Sequence, residues 1–477
     1  MTQLRPLASA RVLLPAAIGA YAAGFAALSV LRHKAFFTGR FDLGNMVQAV
    51  WSTAHGHPLE MTGLHGDQIS RLGAHVDPIL VLFTPLWWIW PSPNMLLVAQ
   101  AVAIATGAVP VFWLARKHLG SAHAGIGFAL AYLLYPATGW LTLNEFHPVA
   151  LATPLLLFAV WYLDEDRLLP FALFAIAASA CKEEIGLVVA GFGIWYGLTH
   201  RRPLAGVVIA VCGAAWAAIA IGVVIPHYHA GAESDFYGRY SEVGGSAAGI
   251  VKTTFTHPGR IIDAAFGGRD LRFLLQLVVP LAGLSLLAPL VLIAALPELA
   301  INLLSATTTQ TSIHFHYTAG LIPPLVVAAI FGAKRLVRMR ALPVAMLVVV
   351  AALAGNYWLG PIPGWRHVPG GERFQATAAR VTRHDQIAAR ALRLIPPNAV
   401  VSATNTLGAH LSARRRYLSF PFVQDATWIA ADETQPGFAD RYAPVPTAVQ
   451  LAALRRNPEW KLVFQEDGVL VFHRSPS

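Results

Sequence analysis

Residues 203–225 read PLAGVVIAVCGAAWAAIAIGVVI, an apolar run without a single charged side chain. A helix needs about 20 such residues to cross the hydrocarbon core of a bilayer, so this stretch reads as a transmembrane helix. Outward from it, apolar runs recur at 11–31, 95–115, 122–141, 148–163, 168–182, 184–200, 272–287, 289–305, 318–333 and 342–359. Composition agrees: of 477 residues, 56% are hydrophobic and 13% charged, with a mean hydropathy of +0.53. Soluble domains carry roughly 25% charged residues, so this chain lacks the charge to coat a globular surface. The same hydrophobicity excludes disorder. The expected fold class is an α-helical polytopic membrane protein with about 11 transmembrane helices.

The formal net charge of +10 would suggest nucleic acid in a soluble protein. Here the positive charge sits in short loops between apolar runs, where it orients the chain, and no nucleic-acid partner is expected. With the N-terminus inside, Arg116–Lys117, Arg167, Arg201–Arg202 and Lys334–Arg335–Arg338–Arg340 all fall on the cytoplasmic side. This requires that Pro78–Trp90, too short to span, lie along the outer interface on its tryptophans Trp87, Trp88 and Trp90. It also requires that 272–305 form a tight helical hairpin around Ser285–Pro289. Arg5 and Arg11 precede a long apolar run to Leu31 without a convincing cleavage site, so a retained first helix is expected. Cys181 and Cys212 fall inside apolar runs and read as small buried hydrophobes.

The loops rich in polar residues then share one face, the outside: 32–94, 142–148, 182–184, 226–271 and 306–317. Residues 1–359 form the membrane domain, with 32–94 as a long first outer loop. From Gly360 onward charge becomes frequent, and 360–477 reads as a small extracytoplasmic α/β domain. Its expected elements are helices at Ala376–Leu394, Leu407–Ser412 and Thr447–Arg455. Strands are expected at Val400–Thr404, Tyr417–Phe420 and Trp428–Ala431. A hairpin, Lys461–Gln465 with Val469–His473, turns at Asp467-Gly468.

Ionisable groups near membrane depth cost about 2.5–3.5 kcal/mol on insertion scales, which makes them candidates for function. Asp42, just beyond the first helix, fits either an N-cap for a helix over Leu43–Ala54 or a general base or cation ligand. His55, His57, His65, Asp67, His75 and Asp77 crowd the same loop without a zinc spacing. They suit an oxygen-rich Mg²⁺ or Mn²⁺ site drawing on Asp42, His75 and Asp77, a polar wall around a phosphate, or plain solvation. Glu145 and His147 sit in a turn between two apolar runs. Lys182-Glu183-Glu184 is either a self-neutralising turn or a phosphate contact backed by carboxylates. Alternation puts His314 and His316 on one side of an extended segment, suited to a metal, a phosphate or a sugar. Arg239, Arg260, Arg269 and Arg272 add cations in the 226–271 loop.

In order along the chain stand FDLGN (41–45), QAVW (48–51), H-x-DPI (75–79), PLWW (85–88), LNEFHP (143–148) and KEE-IG (182–186). PELAINLLS (297–305), HYTAGLIPP (316–324) and VSATNTLGAHLS (401–412) follow. Together they resemble an uncharacterised bacterial family of predicted polytopic membrane proteins, a domain of unknown function. That family is similar in layout to the GT-C superfamily of lipid-dependent glycosyltransferases. The counterparts are an acidic residue early in the first outer loop, here Asp42, an interfacial segment, here Pro78–Trp90, and a cytoplasmic turn, here Ala115–Gly120. Many GT-C proteins carry Asp-Glu at the acidic position, where this chain has Asp42-Leu43.

The resemblance implies a bacterial cytoplasmic-membrane enzyme that transfers sugar from a polyprenyl-phosphate donor to an outer cell-envelope acceptor. On that reading Asp42 is the base, while Lys182, Arg239, His314 and His316 meet the donor phosphate. Glu145, His147, Glu183, Glu184, His75 and Asp77 position substrate, and a divalent cation is a candidate cofactor. Two other classes fit the same residues: a lipid or small-molecule transporter or flippase, and a non-catalytic scaffold presenting the outer domain.

Overall fold

The computed structural model describes residues 4–229, 235–336, 341–441 and 445–475. Arg338 and Arg340 of the basic cluster lie outside them. Most of the chain is helical, with a small sheet domain at the C-terminus.

Four helices among the described residues are long and apolar enough to cross a bilayer: Ala10–Lys34, Pro93–Leu119, Pro203–Tyr228 and Ala341–Leu359. A fifth candidate is the pair Ala122–Leu134 and Pro136–Leu143, bent by 48°. Pro136 supplies no backbone N–H and crowds the preceding turn, which accounts for the bend. The expected count of about 11 is therefore not reached by length. Pro148–Asp164, Leu168–Ser179, Ile185–Thr199 and Pro289–Leu303 are shorter apolar helices of 10–17 residues. At 1.5 Å per residue they fall short of a core about 30 Å thick. The expected hairpin over 272–305 turns earlier than Ser285. The helix Gly268–Val278 stops ahead of Pro280, and Ala282 and Gly283 are both left-handed (φ 55° and 69°).

Small residues let two of these helices pack closely. Ile185–Thr199 lies against Pro203–Ile219, and a Cβ on Gly213 would come within 2.3 Å of the Gly186 carbonyl oxygen. Without a hydrophobic drive between helices in lipid, such backbone approach is a main source of association. Pro78–Phe83 is a 3₁₀ turn leading into the helix Thr84–Ile89. Leu80, Phe83 and Trp87 are buried, while Leu82, Trp88 and Ile89 are exposed. That split suits a segment lying at an interface.

The first loop carries a hairpin of β1 (Glu60–Thr62) and β2 (Gln68–Ser70). The C-terminal sheet contains β3 (Val401–Ala403), β4 (Tyr417–Ser419), β5 (Trp428–Asp432), β6 (Trp460–Glu466) and β7 (Val469–Arg474), in the order β4-β3-β5-β7-β6. β3 runs parallel to β4 and β5; β7 is antiparallel to both its neighbours. Alternation along β7 sends Val469 and Val471 to one core and Leu470 and Phe472 to the other. Asp467 and Gly468 take φ 50° and 78°, the left-handed pair that a tight hairpin needs. The helix expected from Ala376 begins only at Arg383, because Thr382 and Asp385 form a capping box there. Asn405–His410 replaces the expected Leu407–Ser412 helix, two residues earlier.

Arg40 joins this sheet domain to the first loop. It is 1% exposed, and its Nη2 donates to the carbonyls of Thr62 (2.9 Å), Gly63 (3.3 Å) and Tyr417 (3.3 Å). Its guanidinium lies 4.6 Å from the centre of the Tyr417 ring. Beside it, Asn405 Oδ1 accepts from the Arg40 N–H (3.0 Å), and Gln48 Nε2 donates to the carbonyls of Arg414 (3.2 Å) and Arg415 (3.0 Å). Removing Arg40 leaves buried carbonyls without a donor. Arg40→Ala should therefore destabilise the protein by about 3 kcal/mol, seen as a lower Tm in detergent and faster proteolysis of residues 383–474. An unchanged Tm would mean that the domain is held elsewhere.

Candidate functional site

The helix Asn45–Ala54 is entered through a wide π-turn, Arg40–Gly44, that holds Asp42. π-turns of this kind re-aim side chains and recur at functional sites. Asp42 makes no capping bond there, so the N-cap role weighed for it is not what the structure contains. Glu145 does the capping instead. Its Oε2 accepts from the backbone N–H of Gly39 and of Leu43, both at 3.0 Å. An acceptor oxygen placed on N–H groups left free at a helix start satisfies them. Glu145 itself sits at φ 52°, unusual for a residue with a side chain.

Gln100 fixes that turn. It is fully buried in the helix Pro93–Thr106; its Oε1 accepts from His147 N (2.9 Å). Its Nε2 donates to the carbonyls of Leu141, Thr142 and Glu145. His147 can then reach Asp42. His147 Nδ1 donates to the Asn144 carbonyl (2.7 Å), and its Nε2 lies 3.3 Å from Asp42 Oδ1. With Nδ1–H spent on a carbonyl, Nε2 is the ring atom left to face the Asp42 carboxyl. Burial pushes the Asp42 carboxyl up. The hydrogen bond and charge of His147, with Arg71 and Arg239 beyond, outweigh it and hold the group below the usual carboxylate range. Burial and the Asp42 charge push Glu145 up to about 8. Two carboxyl groups with separated affinities thus stand side by side. The His316 ring stacks on His147 at 3.8 Å, and its Nδ1 lies 3.1 Å from Asn144 Oδ1.

These groups open into a cavity of about 310 Å³. Asp42, His75, Asp77, His147, Lys182, Arg239 and His316 all line it, seven of the eleven residues to which the resemblance gives a role. Several are internally neutralised. Asp77 accepts from Arg71 Nε (2.9 Å) and Nη2 (2.8 Å), with both side chains buried. His75 Nδ1 bonds Glu183 Oε1 (2.8 Å) and its ring stacks on Phe236. Lys182 Nζ lies 2.6 Å from Glu184 Oε1. Arg239 lies over the Phe236 ring (4.5 Å) and donates to the Tyr317 hydroxyl (3.3 Å). No carboxylate among the described residues pairs with it.

Glu183 and Glu184 stand behind the cavity wall and hold His75 and Lys182, which line it, while Glu145 holds the backbone on either side of Asp42. His314 is separated from it. Its ring stacks on Phe374 at 4.1 Å and faces Glu372 at 3.9 Å, on the side of the C-terminal segment. His316 turns toward Asn144 instead, so the strict alternation expected of an extended pair fails over 314–316. Among the described residues no group of three or more His, Cys, Asp or Glu side chains is arranged to hold a metal ion. Asp77 is committed to Arg71 and His75 to Glu183, and Arg71, Lys182 and Arg239 line the same wall. The residues present therefore do not fit a divalent cation at Asp42, His75 and Asp77.

Arg71, Gln100, Phe236 and Tyr317 belong to the site or its support without having been singled out. Gln100 left a signal, as a lone amide inside an apolar helix must find partners. Arg71 left a weaker one, six residues before Asp77 in a loop full of charge.

Residues 32–471 match the family described as Predicted membrane protein (DUF2079). Comparison with curated proteins gives no match. Among solved structures, the fold is similar to that in the crystal structure of ArnT from Cupriavidus metallidurans in the apo state. The sequences are 12% identical, the TM-score is 0.53, and the likeness covers 91% of this chain and 94% of that one. ArnT is a GT-C glycosyltransferase, and at this identity the likeness is one of fold. With all but its first 31 and last few residues inside the matched range, the chain belongs to the DUF2079 family of predicted membrane proteins.

Proposed function

We propose that this protein is a GT-C-type glycosyltransferase of the bacterial cytoplasmic membrane, working at the outer face. It would move a sugar from a polyprenyl-phosphate donor to a hydroxyl of a cell-envelope acceptor. One observation carries the reading: the Asp42 carboxyl, half-exposed to a cavity, faces a wall that holds Arg239, which has no carboxylate partner among the described residues. The GT-C-like fold supports it.

In this scheme Asp42 accepts the acceptor hydroxyl proton as that oxygen attacks C1 of the sugar. The bond from C1 to the phosphate oxygen breaks, and its electron pair leaves with the phosphate. Arg239 meets the charge that develops there, in surroundings where water screens it little. Lys182, paired with Glu184 and 5.9 Å from the Tyr317 ring centre, lines the same wall. His316 and His75 offer hydrogen bonds to the sugar. The sheet domain, tied to the first loop through Arg40, presents the acceptor, with the N-terminus inside and this domain outside.

Asp42→Asn should lower transfer from radiolabelled polyprenyl-phosphate hexoses by on the order of 10²–10⁴, with expression and Tm unchanged. Transfer at the wild-type rate would remove Asp42 from the chemistry. His147→Gln tests the pairing through pH. Losing what His147 contributes, which holds Asp42 down, raises the Asp42 pKa, so the acid limb of kcat/KM should move to higher pH while the alkaline side stays put. A limb that does not move would contradict the Asp42–His147 pairing.

A further inference from the structure

The far end of the bundle holds a second cleft. The helices Ile185–Thr199 and Ile322–Leu336 start near the Asp42 cavity, just after Lys182 and Tyr317. Both run about 15 residues, roughly 20 Å, before reaching this cleft. Its volume is about 400 Å³, with Trp195, Phe331, Leu290 and Val291 for walls and Lys334 and Arg335 at the rim. Trp195 and Phe331 meet edge to face at 5.5 Å. Leu198 (61% exposed), Leu290 (42%) and Leu336 (42%) continue the apolar surface outward.

The acids of this end are already spent. Asp164 is buried and holds Lys117 (2.7 Å) and His118 (2.8 Å); Glu165 holds Lys117 (2.6 Å); Asp166 holds Arg202 (2.7 Å). Lys334 Nζ lies 3.3 Å from a ring nitrogen of His118 and 5.9 Å from the Phe331 ring centre. Neither Lys334 nor Arg335 has a carboxylate partner among the described residues. An apolar slot with two uncompensated cations at its mouth complements a lipid with an anionic head.

We infer that this cleft binds an anionic glycerophospholipid, its phosphate against Lys334 and Arg335 and an acyl chain along Leu290 and Val291. The site is separate from the Asp42 cavity and does not depend on the transferase reading. Two cations near a membrane surface contribute about a thirtyfold preference for an anionic head.

Native mass spectrometry of the protein in mild detergent, titrated with phosphatidylglycerol or phosphatidylcholine, tests this. Phosphatidylglycerol should be retained preferentially, and K334Q/R335Q should weaken that retention by about thirtyfold while leaving phosphatidylcholine unchanged. A charge-matched control in the outer loop, K252Q/R260Q, should bind as wild type. Equal retention of the two lipids, or an equal loss in the control, overturns the site. Brominated phosphatidylglycerol gives a readout that keeps the cations intact. Quenching of tryptophan fluorescence should fall in W195F by the share Trp195 contributes, and undiminished quenching would also overturn it.

Discussion

Two backbone N–H groups, those of Gly39 and Leu43, end on a single oxygen of Glu145. The placement of Asp42 depends on that contact. The π-turn between Gly39 and Asn45 has no side-chain cap of its own, and unpaired N–H groups inside a protein are costly. Glu145 satisfies them from another part of the chain and so ties the first loop to the turn after Pro136–Leu143. Gln100 holds the other side of that turn and delivers the His147 backbone at a fixed position. Asp42 and His147 meet because both ends of this arrangement are anchored.

The rest of the cavity follows a pattern of pairing. Arg71 with Asp77, His75 with Glu183, and Lys182 with Glu184 each cancel charge in the wall, which low-dielectric surroundings demand. What remains is the Asp42 carboxyl beside His147, held below the usual carboxylate range, and Arg239 over an aromatic face. An anion with a neighbouring hydroxyl complements that remainder, and this supports the glycosyltransferase reading over a scaffold. A scaffold gives no reason for an arginine that lines a cavity with no carboxylate partner among the described residues.

Much of this was legible in the sequence because period and turn chemistry are local. The β6–β7 hairpin followed from Asp467-Gly468, and the short apolar run ending in Trp87, Trp88 and Trp90 forms a short helix buried on one side. The gathering of Asp42, His147, Lys182, Arg239 and His316 followed from the cost of charge near lipid. By length, four helices, or five with the bent pair at Pro136, reach the span criterion among the described residues, since helices such as Leu168–Ser179 and Ile185–Thr199 are short. His314 was misplaced because alternation assumes a straight strand, and residues 312–318 turn instead. The roles of Glu145 and Gln100 are long-range contacts: nothing within a few residues of Glu145 says that its oxygen reaches Gly39.

The most direct test of the central claim is native mass spectrometry of the purified protein, asking which lipid comes with it. The account predicts a bound polyprenyl phosphate, or its sugar-loaded form, that is lost in Arg239→Gln and kept in Asp42→Asn. Finding only bulk phospholipid, even after polyprenyl phosphate is added, would contradict it.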